Sequence, residues 1–245
     1  MIFSFFKKKN EYPKEVISQL HTDIHSHLIP GIDDGARDME ESILLLKKMK
    51  ALGYKKIITT PHIMLDGYKN TPKNIFEGLE RVRRAVKEEQ IDIEIDAAAE
   101  YYLDDGFYDQ LKDPEILGIG GYLLVETSYV AKPLQFDAMI FEIQAAGFKP
   151  MLAHPERYRY IKDPQNEYRL MKEKGIFFQV NLNSFLGHYG SEAKRKAEFL
   201  SRTGMIDFLG SDVHRMKQAE ILGEVLRSEA LRTLFSNNTI LNETL

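Results

Sequence analysis

Thr22-Asp23-Ile24-His25-Ser26-His27 sets the reading of the whole chain. It is a short run suited to a buried strand, and residues two apart in extended backbone share a face, so His25 and His27 can hold one ion together. The pattern recurs. Apolar runs of strand length stand near 22–27, 55–60, 92–99, 122–127, 149–153, 176–182 and 206–210, as expected of parallel strands buried on both faces. Six of the seven end in a metal-capable residue: His25 and His27, then His62 in Thr60-Pro61-His62, Glu100, Glu126 after Leu123-Leu124-Val125, His154 in Ala153-His154-Pro155-Glu156-Arg157, and Asp212 with His214 in Gly210-Ser211-Asp212-Val213-His214. The sixth run ends near Asn181 and Asn183, which offer only amides.

Between these runs lie helical stretches. Asp38-Met39-Glu40-Glu41 reads as a capping box opening a helix with Ile43, Leu44 and Leu46 on its apolar side and Gly53 as its stop. Thr71-Pro72 opens another through Leu79, Val82 and Val86, and further helices fit 134–146, 164–174, 191–203 and 217–234. Seven strand–helix units predict an α/β fold with a parallel sheet, read as a distorted seven-stranded barrel forming a single domain, with an open doubly wound sheet as the alternative. Gly118-Ile119-Gly120-Gly121 precedes a strand instead of joining a strand to a helix, so it reads as a tight turn and not as a phosphate cradle.

The chain has 245 residues with 33 Lys+Arg against 37 Asp+Glu, a net charge of −4. Such a balance lacks the clustered basic charge that nucleic-acid binding requires. With no cysteine, disulfides, thiolate zinc sites and thiol nucleophiles are excluded. No apolar run approaches the roughly 20 residues of a membrane span. In Met1-Ile2-Phe3-Ser4-Phe5-Phe6-Lys7-Lys8-Lys9 the charges follow the apolar part, unlike a signal peptide. The cytoplasm is therefore the expected location. Residues 1–20 read as a leader, a loose terminus with membrane or partner contact as the alternative, and 21–245 as the folded domain.

In a barrel the carboxyl ends of the strands meet at one mouth, where active sites of such folds sit. One histidine at a strand end is usually a packing residue, but five histidines and at least three carboxylates at one mouth are most economically a metal site. So many donors exceed the needs of one ion, so two or three divalent ions sharing a carboxylate are expected, with Mn²⁺, Fe²⁺ or Zn²⁺ suiting imidazole and carboxylate without sulfur. Ions about 3.5–4 Å apart would supply hydroxide from a bridging water and neutralise phosphoryl charge. Arg157 and Arg215 stand beside the mouth as phosphate-contacting candidates, each with an ordinary surface arginine as its alternative.

Asp23-Ile24-His25-Ser26-His27-Leu28-Ile29-Pro30-Gly31-Ile32-Asp33-Asp34-Gly35, together with Thr60-Pro61-His62, His154-Pro155-Glu156-Arg157 and Gly210-Ser211-Asp212-Val213-His214, resembles the tyrosine phosphatases of the polymerase-and-histidinol-phosphatase (PHP) superfamily that accompany capsule and exopolysaccharide synthesis in bacteria. The resemblance implies a distorted seven-stranded barrel with three ions, usually manganese, that hydrolyses phosphotyrosine on a tyrosine autokinase by attack of a metal-bridging hydroxide. Carried over, His25, His27, Glu126 and Asp212 look like ligands of one ion, Glu126 like the bridge to a second held by His154, and Asp34, His62 and His214 like the third set. Glu100 matches a further acidic position. Arg157 matches the phosphate-contacting arginine, while Arg215 falls where the family varies. His62 and His214 are also the candidate proton donors. His188, on the loop after the sixth strand, is read as lining the substrate entrance, and Tyr101, with Tyr102, as a ring that stacks on the phosphotyrosine. A homo-oligomer, and a place at the inner membrane face through the kinase, complete the expectation. Histidinol phosphatase or nuclease chemistry, and a regulatory module without turnover, remain as alternative readings.

Overall fold

The computed structural model describes residues 20–245. The leader, and the membrane or subunit contact considered for it, lie outside the described residues apart from Leu20. From β1 (Thr22–Asp23) the chain continues through α1 (Met39–Ala51), β2 (Lys56–Thr59), β3 (His62–Ile63), α2 (Pro72–Glu88), β4 (Glu94–Ala97), β5 (Glu100–Tyr102), α3 (Phe107–Leu111), β6 (Tyr122–Glu126), α4 (Phe136–Ala145), β7 (Lys149–Ala153), α5 (Pro164–Glu173), β8 (Phe177–Asn181), α6 (Ser191–Arg202), β9 (Phe208–Gly210), α7 (Met216–Val225) and α8 (Glu229–Asn237). Every strand-to-strand ladder is parallel. The α/β class read from the sequence is the class observed.

The strands fall in two sheets, ordered β1-β2-β4 and β3-β5-β6-β7-β8-β9. Two of the expected runs, 55–60 and 92–99, are each followed after a two-residue break by a further short strand in the other sheet. Pro61 has no N–H to give a ladder, and the chain steps there from β2 to β3. Its neighbour follows in register, with Ala98 N donating to Thr59 O and Glu100 N to Pro61 O as β4 passes into β5. Between β1 and β9 the contact is an isolated parallel bridge, Ser26 to Val213. Beside it the buried Asp23 carboxylate accepts from Ser211 N and Oγ at 2.9 and 2.7 Å, and burial pushes its pKa up to about 6.

Helix packing explains why the frame is stable. α2 buries Ile75, Leu79, Val82 and Val86, a stripe at helical spacing worth roughly 1.5–3 kcal/mol per fully buried side chain. Thr71 caps it in a reciprocal box with Asn74. At α1 the N-cap Asp38 accepts from Glu41 N, but the expected return contact is absent, because Glu41 Oε2 takes Arg37 N and Nε instead. The helix expected over 217–234 is two helices, divided at Arg227 and Ser228. α3 was not foreseen. Gly118–Gly121 is a turn as read, with Ile119 bridged to Tyr122 and both Gly120 and Gly121 at positive φ.

A smaller apolar cluster joins Ile24, Ile58, Ala98, Tyr122, Leu124, Met151, Ala153 and Phe208. Since side chains alternate along a strand, Glu126 continues the row that Tyr122 and Leu124 begin. The charged site is thus built at the end of a packed apolar plug.

Candidate metal centre

Two histidines follow β1 and both are fully buried. His25 Nδ1 lies 2.6 Å from Gln179 Oε1, and the Gln179 amide is oriented by its Nε2 donating to Asn181 Oδ1. The proton of His25 therefore sits on Nδ1, and Nε2 turns its lone pair inward. His27 is set the same way, its Nδ1 donating to Asp33 Oδ2 at 2.8 Å. The two Nε2 atoms face each other at 3.4 Å. Lone pairs so opposed call for a positive charge between them.

Glu100, at the start of β5, supplies the carboxylate at the centre. Its Oε2 lies 3.1 Å from His25 Nε2, 3.4 Å from His27 Nε2 and 3.3 Å from His62 Nδ1, and its Oε1 lies 3.0 Å from His154 Nε2. Burial alone would raise this carboxyl, but the imidazoles around it, His25 and His62 foremost, hold it well below the usual range. Glu126 stands further along, 3.1 Å from His62 Nδ1 and 3.8 Å from His154 Nε2. Asp34 Oδ1 is 3.5 Å from His62 Nε2 and 3.3 Å from His214 Nε2, and His214 is oriented by its Nδ1 donating to Asp212 O.

The two oxygens of Asp212 have separate surroundings. Oδ2 accepts from Asn181 Nδ2 at 2.6 Å, Arg157 Nη1 at 2.8 Å and Tyr189 Oη at 3.2 Å. Oδ1 is left facing His25 and His27 Nε2 at 3.6 and 3.7 Å. Asp212 and His154 both have left-handed backbone, at φ 50° and 35°, a conformation costing about 1–3 kcal/mol that persists only where the surroundings fix it. Asp212 N donates to His25 O, and Arg157 N to His154 O.

Four sets of donors result, each with its atoms within 4.8 Å of one another: His27, Asp34, His62 and His214; His25, Glu100 and His154; His25, His27 and Asp212; His62, Glu100 and Glu126. The donor chemistry fits hard or borderline divalent ions. His154 Nδ1 is buried with no hydrogen-bond partner, and His62 Nδ1 faces the Glu100 and Glu126 carboxylates without a well-formed hydrogen bond to either, an arrangement that an ion among them would explain. Without one, proton charge does the work: burial disfavours charged His25, yet Glu100 and Asp212 outweigh it and push its pKa up to about 9. The resemblance had grouped Glu126 with His25, His27 and Asp212. The geometry places Glu126 with His62 instead, and Glu100 stands where several sets meet.

Arg157, Arg215 and His188 line one cavity of about 390 Å³ with Asp34, His62, Glu100, His154, Asp212 and His214. Arg215 is tied to the carbonyls of Gly35 and His214, which leaves less of its fork for a ligand than Arg157 retains. Tyr101 corrects the expectation. It is 2% exposed, its hydroxyl accepts from Leu117 N and its ring packs edge-on against Phe107, so it is a core residue and no stacking platform. Sequence reasoning missed Asp33, Gln179 and Asn181, which orient the donors, and Tyr129, Tyr189 and Lys217, which also line the cavity.

Known proteins resemble this chain over most of its length. The family model described as capsular polysaccharide synthesis, CpsB/CapC, matches residues 21–223. The chain is 30% identical over 198 residues to tyrosine-protein phosphatase YwqE of Bacillus subtilis (strain 168), covering 80% of this chain and 78% of that protein. It is 27% identical over 231 residues to tyrosine-protein phosphatase CpsB of Streptococcus pneumoniae, covering 88% and 95%. A solved chain from YwqE and CpsB, described as unique metal-dependent tyrosine phosphatases, superposes with a TM-score of 0.75 at 27% identity over 89% of this chain and 96% of that one. An amidohydrolase from Mycoplasma synoviae shares the fold at a TM-score of 0.50 and 12% identity, over 90% and 83% of the two chains.

Proposed function

The chain belongs to the CpsB/CapC family of capsular polysaccharide synthesis, and from that premise we propose that it is a metal-dependent protein-tyrosine phosphatase whose catalytic domain spans residues 21–245. The observation that carries this reading is the convergence of five histidines and four carboxylates, Glu100 among them, with the Arg157 guanidinium in the cavity that Glu100 and Asp212 also line. His25, His27 and Asp212 would hold one ion, His154 with Glu100 a second, and Asp34, His62 and His214 a third, with Glu126 beside His62 and Glu100 shared. Such ions, manganese by preference and iron or zinc otherwise, supply a nucleophile from water near neutral pH and offset charge growing on the phosphoryl group.

The remaining work belongs to side chains of this chain. Arg157 offers the N–H groups not spent on Asp212 to the phosphoryl oxygens, a charge-assisted contact that strengthens as negative charge develops. Asp33 and Gln179 keep His27 and His25 in the tautomer with Nε2 inward. Of the histidines lining the cavity, His62 and His214 would be engaged with the third ion, which leaves His188 as the imidazole free to return a proton to the departing phenolate. The substrate we infer is a phosphotyrosine-bearing protein, a bacterial tyrosine autokinase of capsule or exopolysaccharide synthesis, met in the cytoplasm at the inner membrane face, with a homo-oligomer as the assembly. No described helix is long and apolar enough to cross a membrane.

The test is a comparison of rates on a phosphotyrosine peptide, histidinol phosphate and single-stranded DNA. The reading expects the peptide to be preferred at least tenfold and that activity to fall by two or more orders of magnitude in Arg157→Ala or His62→Ala. Equal or better turnover of histidinol phosphate or DNA would assign the site to another phosphoester.

A further inference from the structure

Two tyrosines at the cavity have no part in the mechanism above, and both are in contact with Arg157. The Tyr129 ring centroid lies 4.5 Å from the guanidinium carbon and the Tyr189 centroid 4.2 Å. They come from different loops. Tyr129 follows β6, its carbonyl accepting from Arg159 N at 2.7 Å. Tyr189 precedes α6, and its hydroxyl donates to the same Asp212 oxygen that Arg157 holds. Arg157 is thereby pinned by one N–H and packed against two rings, while the rest of its planar fork faces the cavity. An arginine side chain in solution samples many rotamers, and ordering it only when substrate arrives would weaken binding. Here one hydrogen bond and two ring contacts are made without substrate. Flat contact with an aromatic ring suits a guanidinium far better than an ammonium.

We propose that Tyr129 and Tyr189 are positioning residues whose rings hold Arg157 with its free edge toward the phosphoryl group. The proposal rests on the phosphatase reading, and its test separates the two. The metal-loaded enzyme and the variants Tyr129→Leu, Tyr189→Leu, Tyr129→Phe and Tyr189→Phe are compared for KM and kcat on 4-nitrophenyl phosphate and for inhibition by inorganic phosphate, with metal content measured alongside. The leucine variants are expected to raise KM and weaken phosphate inhibition about tenfold each, with metal content unchanged, and the phenylalanine variants to stay within about threefold of the parent. In an Arg157→Lys background the leucine substitutions are expected to change phosphate affinity less than twofold. That second comparison stands even if one single variant folds poorly. Leucine variants that bind phosphate as tightly as the parent, phenylalanine variants as impaired as leucine, or an undiminished loss in the lysine background would each overturn the clamp. A parent enzyme that neither hydrolyses the ester nor binds phosphate overturns the phosphatase reading, and the clamp with it.

Discussion

Asp33 and Asp34 are neighbours in sequence with different tasks. Asp34 is half exposed and points one oxygen at His62 and His214; the imidazoles outweigh its partial burial and lower its pKa to about 2. The Asp33 carboxylate is buried, and its Oδ2 takes both His27 Nδ1 and His62 N while Oδ1 takes Gly35 N. It orients a donor without facing the centre itself. Asp33→Asn keeps the shape and removes the charge that makes His27 basic, so retained metal after dialysis against a fixed chelator is expected to fall 10–100-fold in affinity at an unchanged thermal midpoint. Unaltered retention would show that His27 needs no orienting carboxylate. The donors themselves were legible because each follows an apolar run. Which carboxylate is central was not, since that depends on how close β5 and β6 bring their ends to β1. The error at Tyr101 has a simple cause: adjacent residues in a strand point to opposite faces, so a ring directly after Glu100 is turned away from the site.

At the scale of elements, the turn Pro155–Arg157 and the turn Leu182–Leu186 are joined by a single buried carboxylate. Glu156 Oε1 accepts from Asn181 N at 3.0 Å and Ser184 Oγ at 2.6 Å, while Oε2 has no partner. Burial pushes its pKa from 4.5 up to about 7. The folded state therefore keeps a proton that the unfolded chain gives up. The stability contributed by this group is full below pH 4.5, declines as pH rises toward 7 and is gone above it, a change of at most about 3 kcal/mol. Glu156→Gln removes that dependence. Urea unfolding should find the variant gaining on the parent between pH 5 and pH 7 and holding a constant advantage from pH 7.5 upward; a difference independent of pH would contradict the assignment. Element type was readable along most of the chain because apolar spacing dictates it. The breaks were not read: one falls at Pro61, which has no N–H to give a ladder, and the last helix divides at Arg227 and Ser228.

Over the whole molecule, positions scattered from His25 to His214 are gathered because parallel strands deliver their carboxyl ends to the same side. The α/β class followed from the alternation of strand and helix alone. The number of strands did not, because two runs are each followed by a further short strand in the other sheet and the contact between β1 and β9 is a bridge and a buried carboxylate in place of a ladder. A net charge of −4 coexists with a cavity in which Arg157, Arg215 and Lys217 stand beside Asp34, Glu100 and Asp212, so divalent ions bound to those carboxylates would leave the mouth favouring an anionic group while the surface at large repels polyanions. All of this depends on bound divalent ions completing the centre. The direct measurement is a titration of metal-free protein with Mn²⁺, following bound metal and phosphotyrosine-peptide hydrolysis in the same samples. No turnover is expected in the metal-free protein, with activity rising to a plateau at about two to three ions per chain; full hydrolysis in protein stripped of metal would contradict the account.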